Sequence, residues 1–136
     1  MSSGTRVRFS AHVDGGARNN PGPAGFGVVI AVEGVGEVYR RAGSLGETTN
    51  NQAEYRALLH CLQALEDLRL DSGVIHSDSE LLVKQLSGEY RVKESTLRPL
   101  HEEARRRLSD LGDVEIVHVR REENQGADAL ANIGID

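Results

Sequence analysis

The chain is poor in the residues that usually reinforce small or secreted proteins. It has one cysteine, no tryptophan, three tyrosines and two phenylalanines. Cys61 alone can form no internal bridge, and its place in a helical apolar pattern marks it as core filler. No segment is apolar for long enough to cross a bilayer as a helix. The opening M-S-S-G-T-R-V-R-F lacks the apolar stretch of a secretory signal, so a cytoplasmic protein is expected. Positive charge is not in excess either: 16 Lys and Arg stand against 21 Asp and Glu, for a formal charge of −5. That argues against a protein that coats nucleic acid through a basic surface. It leaves room for an enzyme that holds cations before it approaches phosphate. Repeats and low-complexity segments are missing as well. What is present, 136 residues with 38% hydrophobic and 27% charged, suffices for one domain, residues 1–136, with a core that needs no disulfide.

Val7, Phe9, Ala11 and Val13 alternate with Arg6, Arg8, Ser10, His12 and Asp14, the period of a strand with one buried face. The stretch V-D-G-G-A-R-N-N-P-G-P-A-G-F-G follows, rich in turn formers, with Asp14 at the end of the strand. Phe26 to Val32 and Glu37 to Ala42 are two further strands, broken apart at Gly34 and Gly36, so the first third of the chain is an antiparallel meander. A helix from about Asn50 to Leu68 carries the stripe Leu58, Leu62, Leu65 and Leu68. A short strand at Val74–Asp78 and a short helix at Ser79–Leu86 come next. Leu97, Leu100, Ala104, Leu108 and Leu111 mark a helix with Ser95 or Thr96 as its cap. A strand at Val114–Val119 and a last helix around Ala127 to Ile133 complete the order β-β-β-α-β-α-α-β-α, a mixed α/β fold with helices on one sheet.

Four acids sit at the ends of these elements. Asp14 and Asp78 close strands whose carboxyl ends meet if the strands are parallel neighbours. Glu54 continues the core-facing stripe in the first part of its helix, where an acid is costly unless it is paired or binds a metal. Asp128 lies early in the last helix. Each has a plain explanation: turn chemistry for Asp14, helix N-terminal charge for Glu54 and Asp128, capping for Asp78 with Ser79. Only a metal site requires them to converge. Oxygen ligands without a Cys/His cluster suit Mg²⁺ or Mn²⁺ rather than zinc. Two such ions would support in-line phosphoryl transfer.

The blocks D-G-G-A-R-N-N-P-G-P-A-G-F-G, T-N-N-Q-A-E-Y-R-A-L, H-S-D-S-E and R-E-E-N-Q-G-A-D-A-L-A, in this order, resemble type 1 ribonuclease H over nearly the whole chain. The resemblance implies a five-stranded mixed sheet flanked by helices, and a monomer acting on RNA·DNA hybrids. It implies that Asp14, Glu54, Asp78 and Asp128 hold two Mg²⁺ ions, with Mn²⁺ able to substitute. Asp14 would bridge the ions, Asp128 would complete the water-activating site, and Glu54 and Asp78 would serve the ion at the leaving 3′-oxygen. The products would be 5′-phosphate and 3′-hydroxyl ends. Minor-groove contacts would come from Gly15, Gly16, Ala17, Asn20, Asn50 and Asn51, with Thr49 left from a DNA-phosphate pocket. The glycines would let a phosphate backbone come close. Short amides beside the acids can read the 2′-hydroxyl that separates RNA from DNA.

Several residues depart from the family pattern. Gly88–Lys93, with only Arg91 and Lys93, replaces the basic handle of well-known bacterial members, which implies the compact handle-less subclass and a weaker grip. Double-stranded RNA is a side substrate suggested only by that subclass. Arg121 stands where many members have a mobile histidine, and an electrostatic role toward phosphate or product is expected of it. His118 is expected to pack within its strand, and His76 on the sheet face. Glu47 occupies the place of a phosphate-binding arginine. Glu80 and the run Arg105-Arg106-Arg107 are expected to be solvated helix charges, the latter paired with Glu102 and Glu103. Two other readings stand beside the hydrolase: another nuclease or transposase-like protein of this fold, and a binding module that has lost activity.

Overall fold

In a computed structural model of the chain, residues 7–136 are described. Arg6, the first residue of the expected strand, lies outside them. The elements are β1 (Phe9–Ala17), β2 (Gly22–Val32), β3 (Gly36–Thr48), α1 (Asn50–Asp67), β4 (Ser72–Ser77), α2 (Glu80–Leu86), α3 (Arg98–Leu111), β5 (Asp113–His118) and α4 (Gln125–Ile135). A single 3₁₀ turn, Arg121–Glu123, precedes α4. The sheet has five strands in the order β3-β2-β1-β4-β5. β1 is antiparallel to β2 and parallel to β4, which is parallel to β5. The mixed α/β architecture read from the sequence is the one observed.

Several boundaries differ from expectation: β2 starts at Gly22 and not Phe26, β3 runs on to Thr48 and not Ala42, and β4 ends at Ser77 and not Asp78. Asp14 does not end β1. The strand runs on through Gly15, Gly16 and Ala17, because β2 begins at Gly22 and supplies ladder partners as far as Ala17↔Ala24. What stops beside Asp14 is the parallel pairing to β4, whose last register pair is Val13↔Ser77. The turn therefore shrinks to residues 18–21, closed by the Arg18 N–H donating to the Pro23 carbonyl at 2.9 Å. Helix α3 uses neither Ser95 nor Thr96 as its cap. It opens after Leu97, with Pro99 in the first turn, where a missing N–H costs nothing, and Leu97 is only 1% exposed. His118 is the exposed last residue of β5 and does not pack inside the strand.

The core lies between the sheet and α1. Ala11 and Val13 of β1 face Ala53, Ala57, Leu58, Cys61, Leu62 and Leu65, all buried. At about 25 cal/mol per Å² of apolar surface, this layer is the main source of stability. Thr49 caps α1 with a capping box to Gln52, fixing where the helix starts. A buried polar chain ties the helices together. Tyr55 Oη donates to Gln85 Oε1 at 2.7 Å, and Gln85 Nε2 donates to the Arg91 carbonyl at 3.2 Å. The other sheet face receives α4 against β2.

His76 stacks on His12 with ring centroids 4.3 Å apart, the sheet-face packing expected of it. Glu80 is an exposed helix charge paired with Lys84 at 3.3 Å. In the arginine run, Arg107 pairs with Glu103 at 3.4 Å and Glu66 at 3.5 Å, while Arg105 and Arg106 are exposed. Among the described residues no helix of the protein is long and apolar enough to cross a membrane.

Candidate active site

Two glycines decide how closely the flanking helices approach Asp14. A Cβ on Gly15 would lie 2.1 Å from the Ala53 carbonyl oxygen, so only glycine lets α1 settle onto β1 here. A Cβ on Gly27, the register partner of Asp14, would lie 2.2 Å from the Ala127 carbonyl oxygen of α4. The glycines expected to admit a phosphate backbone thus mainly admit helices. Gly16 is different, since a Cβ there would meet only Asn50 Oδ1, at 3.9 Å. One consequence is that Glu54 arrives from one side of the sheet and Asp128 from the other, both beside Asp14.

Carboxylate oxygens of Asp14, Glu54 and Asp78 lie within 4.8 Å of one another. Glu54 Oε1 accepts a 3.0 Å hydrogen bond from the Gly15 N–H, which aims it at the strand. Asp78 follows the last residue of β4 and precedes Ser79, the cap of α2, whose hydroxyl accepts from the Leu82 N–H at 3.1 Å. Asp128 stands outside that triad but lies near enough to Asp14 for its carboxyl to help raise that of Asp14. These four acids, Gly15, Gly16, Ala17, Arg18, Asn50 and Arg121 line a cleft of about 410 Å³, completed by the inner side of α4.

Crowded acids resist ionising together. Burial, then the Asp78 and Asp128 carboxylates, push the Asp14 carboxyl from 3.8 up to about 8, against the pull of Arg121. Burial also pushes Glu54 well above the usual carboxylate range, helped by Asp14 and Asp78 and opposed by the Gly15 N–H. An all-oxygen donor set that cannot carry its own charge fits a hard divalent cation, so the residues present suit Mg²⁺ or Mn²⁺.

Of the remaining expected residues, Ala17 and Asn50 line the cleft, whereas Asn20, Thr49 and Asn51 are not among its lining residues. Asn50 Oδ1 accepts from the Ala17 N–H at 2.7 Å, and Asn20 Oδ1 accepts from the Asn50 N–H at 2.9 Å. The two asparagines therefore clamp the β1–β2 turn to the start of α1. Thr49 is spent as the cap of α1, and Asn51 is half-buried beside it. His118 is not among the residues lining the cleft.

Asn124 was not among the residues expected to serve the site. It is 1% exposed, and its Nδ2 donates to the Val13 carbonyl at 2.8 Å. Its own carbonyl accepts from the Asp128 N–H at 3.0 Å. It thus joins the residue before Asp14 to the residue Asp128. It stands at the start of α4, yet its side chain makes no cap and turns to β1 instead. Its position four residues before Asp128 was the available signal.

Residues 12–134 match the family described as Reverse transcriptase-like. The chain is 42% identical over 130 residues to ribonuclease HI of Halobacterium salinarum, covering 95% of this chain and 65% of that one. It is 36% identical to ribonuclease H of Halorhodospira halophila, covering 93% of this chain and 91% of the relative. The chain belongs to the type 1 ribonuclease H family. The crystal structure of RNase H1 from the halophilic archaeon Halobacterium salinarum NRC-1 superposes with a TM-score of 0.91 at 41% identity, over 95% of this chain and 98% of that one. LC11-RNase H1 in complex with an RNA/DNA hybrid superposes at 0.88 with 40% identity, over 94% and 96% of the two chains. The chain spans 65% of the length of the Halobacterium relative, and 36% of a longer bifunctional protein of Mycobacterium tuberculosis. As in the family pattern, each of the four motif blocks contributes one acid to the cleft.

Proposed function

We propose that the chain is a divalent-metal-dependent endoribonuclease that hydrolyses the RNA strand of RNA·DNA hybrids and, as the sequence suggests, works as a cytoplasmic monomer. The observation that carries this is the convergence of Asp14, Glu54 and Asp78 within 4.8 Å, in a cleft rimmed by Gly16 and Asn50. LC11-RNase H1, its structural relative, was crystallised with an RNA/DNA hybrid, which favours the same ligand here.

Two Mg²⁺ ions, or Mn²⁺ in their place, would supply Lewis-acid stabilisation of the phosphoryl group and activate water for in-line attack. Asp14 would be shared between them, with Asp128 on the water side and Glu54 and Asp78 on the leaving-group side. Products with 5′-phosphate and 3′-hydroxyl ends follow from that polarity. Burial of Asp14 and partial burial of Glu54 limit competition from bulk water for the carboxylates. The Gly15 N–H holds Glu54 in place, and Asn124 ties the backbone at Val13, next to Asp14, to that of Asp128. Asn50 presents its amide in the cleft, held there by Asn20, and 2′-hydroxyls of an RNA strand can be read by these two short amides. Arg121, always charged, contributes electrostatically toward phosphate.

The test is a cleavage assay on a hybrid, a matched RNA duplex and single strands, with Mg²⁺ or Mn²⁺ and with the Asp14→Asn variant. Cutting of the hybrid that fails in the variant supports the reading. No cutting with either metal would end it, and calorimetry without metal uptake would favour a binding module. Comparable rates on the RNA duplex would establish the side activity on double-stranded RNA.

A further inference from the structure

Two cations line the cleft, Arg18 and Arg121, against four carboxylates. Arg18 is committed elsewhere, at 2.5 Å from Asp136. Arg121 is the one turned to the cluster, with Nη2 3.7 Å from Asp128 Oδ1. Its charge acts on Asp14 as well, in the direction opposite to the neighbouring acids. The side chain is 78% exposed while that of Asp128 is 30% exposed, so the guanidinium reaches in from solvent.

The base of that arm is fixed. The Asn124 N–H donates to the Arg121 carbonyl at 2.9 Å, and the Glu123 N–H donates to the Arg120 carbonyl at 2.9 Å. Glu123 Oε1 accepts in turn from the Arg120 N–H at 3.1 Å. None of these bonds uses the Arg121 side chain. The residue is therefore a charged arm on a rigid turn, free to swing without disturbing α4.

We propose that Arg121 is a displaceable counter-ion of the metal site. It neutralises Asp128 until a divalent cation takes that carboxylate, and the freed guanidinium then stands at the cleft mouth, available to an incoming phosphate. This rests on the reading of Asp128 as a metal ligand. Arg121 and the cation compete for one carboxylate, so the arginine weakens metal binding to the free protein while serving the loaded one. An arginine suits the task because it stays charged at any working pH and its planar fork can pass from carboxylate to phosphate.

The test is calorimetric titration of the hybrid-free protein with Mn²⁺ at low salt, comparing wild type, Arg121→Ala, Arg121→Lys and Asp128→Ala. Loss of an exposed pair of this kind tightens binding in Arg121→Ala by about two- to fivefold. The gain shrinks as salt is raised toward about 1 M, where exposed charges are screened beyond roughly 3 Å. Arg121→Lys stays near wild type. An Arg121→Ala protein that binds no tighter, while Asp128→Ala binds more weakly, overturns the counter-ion role and leaves the metal reading standing. If Asp128→Ala binds as wild type does, the metal reading of Asp128 falls, and the counter-ion role with it. Circular dichroism melting confirms that each variant is folded, as the exposure of Arg121 leads one to expect.

Discussion

At pH 7 the acid cluster should hold a proton that a divalent cation must displace. With its carboxyl raised from 3.8 to about 8, Asp14 is roughly nine-tenths protonated at pH 7 in the metal-free protein. A carboxylate ligand must be deprotonated, so metal uptake at that pH releases about one proton, and raised Glu54 adds to it. Apparent affinity should rise at least about tenfold per pH unit between 5 and 7, with Glu54 adding to the slope, then level off once both carboxyls have ionised. Mn²⁺ calorimetry in two buffers of different ionisation enthalpy measures the released protons directly. Asp14→Asn should lose most of the release. Release well below half a proton at pH 7, with an affinity flat from pH 6 to 7, would refute the electrostatic account of the cluster.

The same shift fixes the sign of the stability profile. The folded protein keeps the Asp14 proton to about pH 8, whereas the unfolded chain loses it near the ordinary 3.8. Between those limits the fold binds more protons, so metal-free stability falls as pH rises through that window. The full shift from 3.8 to about 8 corresponds to on the order of 6 kcal/mol at about 1.4 kcal/mol per unit. Added Mg²⁺ should offset the loss, most strongly at the alkaline end, as read by urea denaturation at pH 5 and pH 8.

The other expected outcomes concern what positions the acids. Gly15→Ala, whose Cβ would stand 2.1 Å from a backbone oxygen, should lose about 3 kcal/mol in urea denaturation; Gly16→Ala should be near neutral in the same experiment, and equal losses would contradict the placement of α1. Asn124→Ala removes the 2.8 Å bond from Nδ2 to the Val13 carbonyl and should lose about 1 kcal/mol. It should also lower cleavage at saturating metal, since Asp14 and Asp128 lose their common brace; unchanged kcat in the folded variant would show the brace to be structural only. Tyr55→Phe removes the 2.7 Å bond to Gln85 and should lose about 1 kcal/mol, with cleavage unaltered because the pair lies away from the cleft.

The four acids were legible because each is out of place in its local pattern: Glu54 in an apolar stripe, Asp14 where an apolar alternation meets a glycine-rich stretch, Asp78 just past a short strand, Asp128 early in a helix. Periodicity also located every strand and helix of the sheet. The misreadings have a common cause in long-range contacts. Gly15 and Gly16 look like turn residues, yet they are strand, because β2 pairs with them through Gly25 and Phe26. Their spacing could not reveal that α1 and α4 fill the room left by Gly15 and Gly27. Leu97 outcompeted Ser95 and Thr96 at the start of α3 by burial, which no local propensity records. Asn124 drew no attention in the sequence because its partner, Val13, lies 111 residues away.

The central claim, that these acids form a metal-dependent site for cutting RNA paired to DNA, is tested most directly by one cleavage experiment. A hybrid labelled on its RNA strand is incubated with the wild-type protein and with Asp14→Asn, each with Mg²⁺, with Mn²⁺ and with chelator. RNA should be cut by the wild-type protein only when a divalent ion is present, leaving 5′-phosphates, and Asp14→Asn should leave it intact. Cutting that persists in chelator or in Asp14→Asn, or an intact hybrid under all conditions, would contradict the claim.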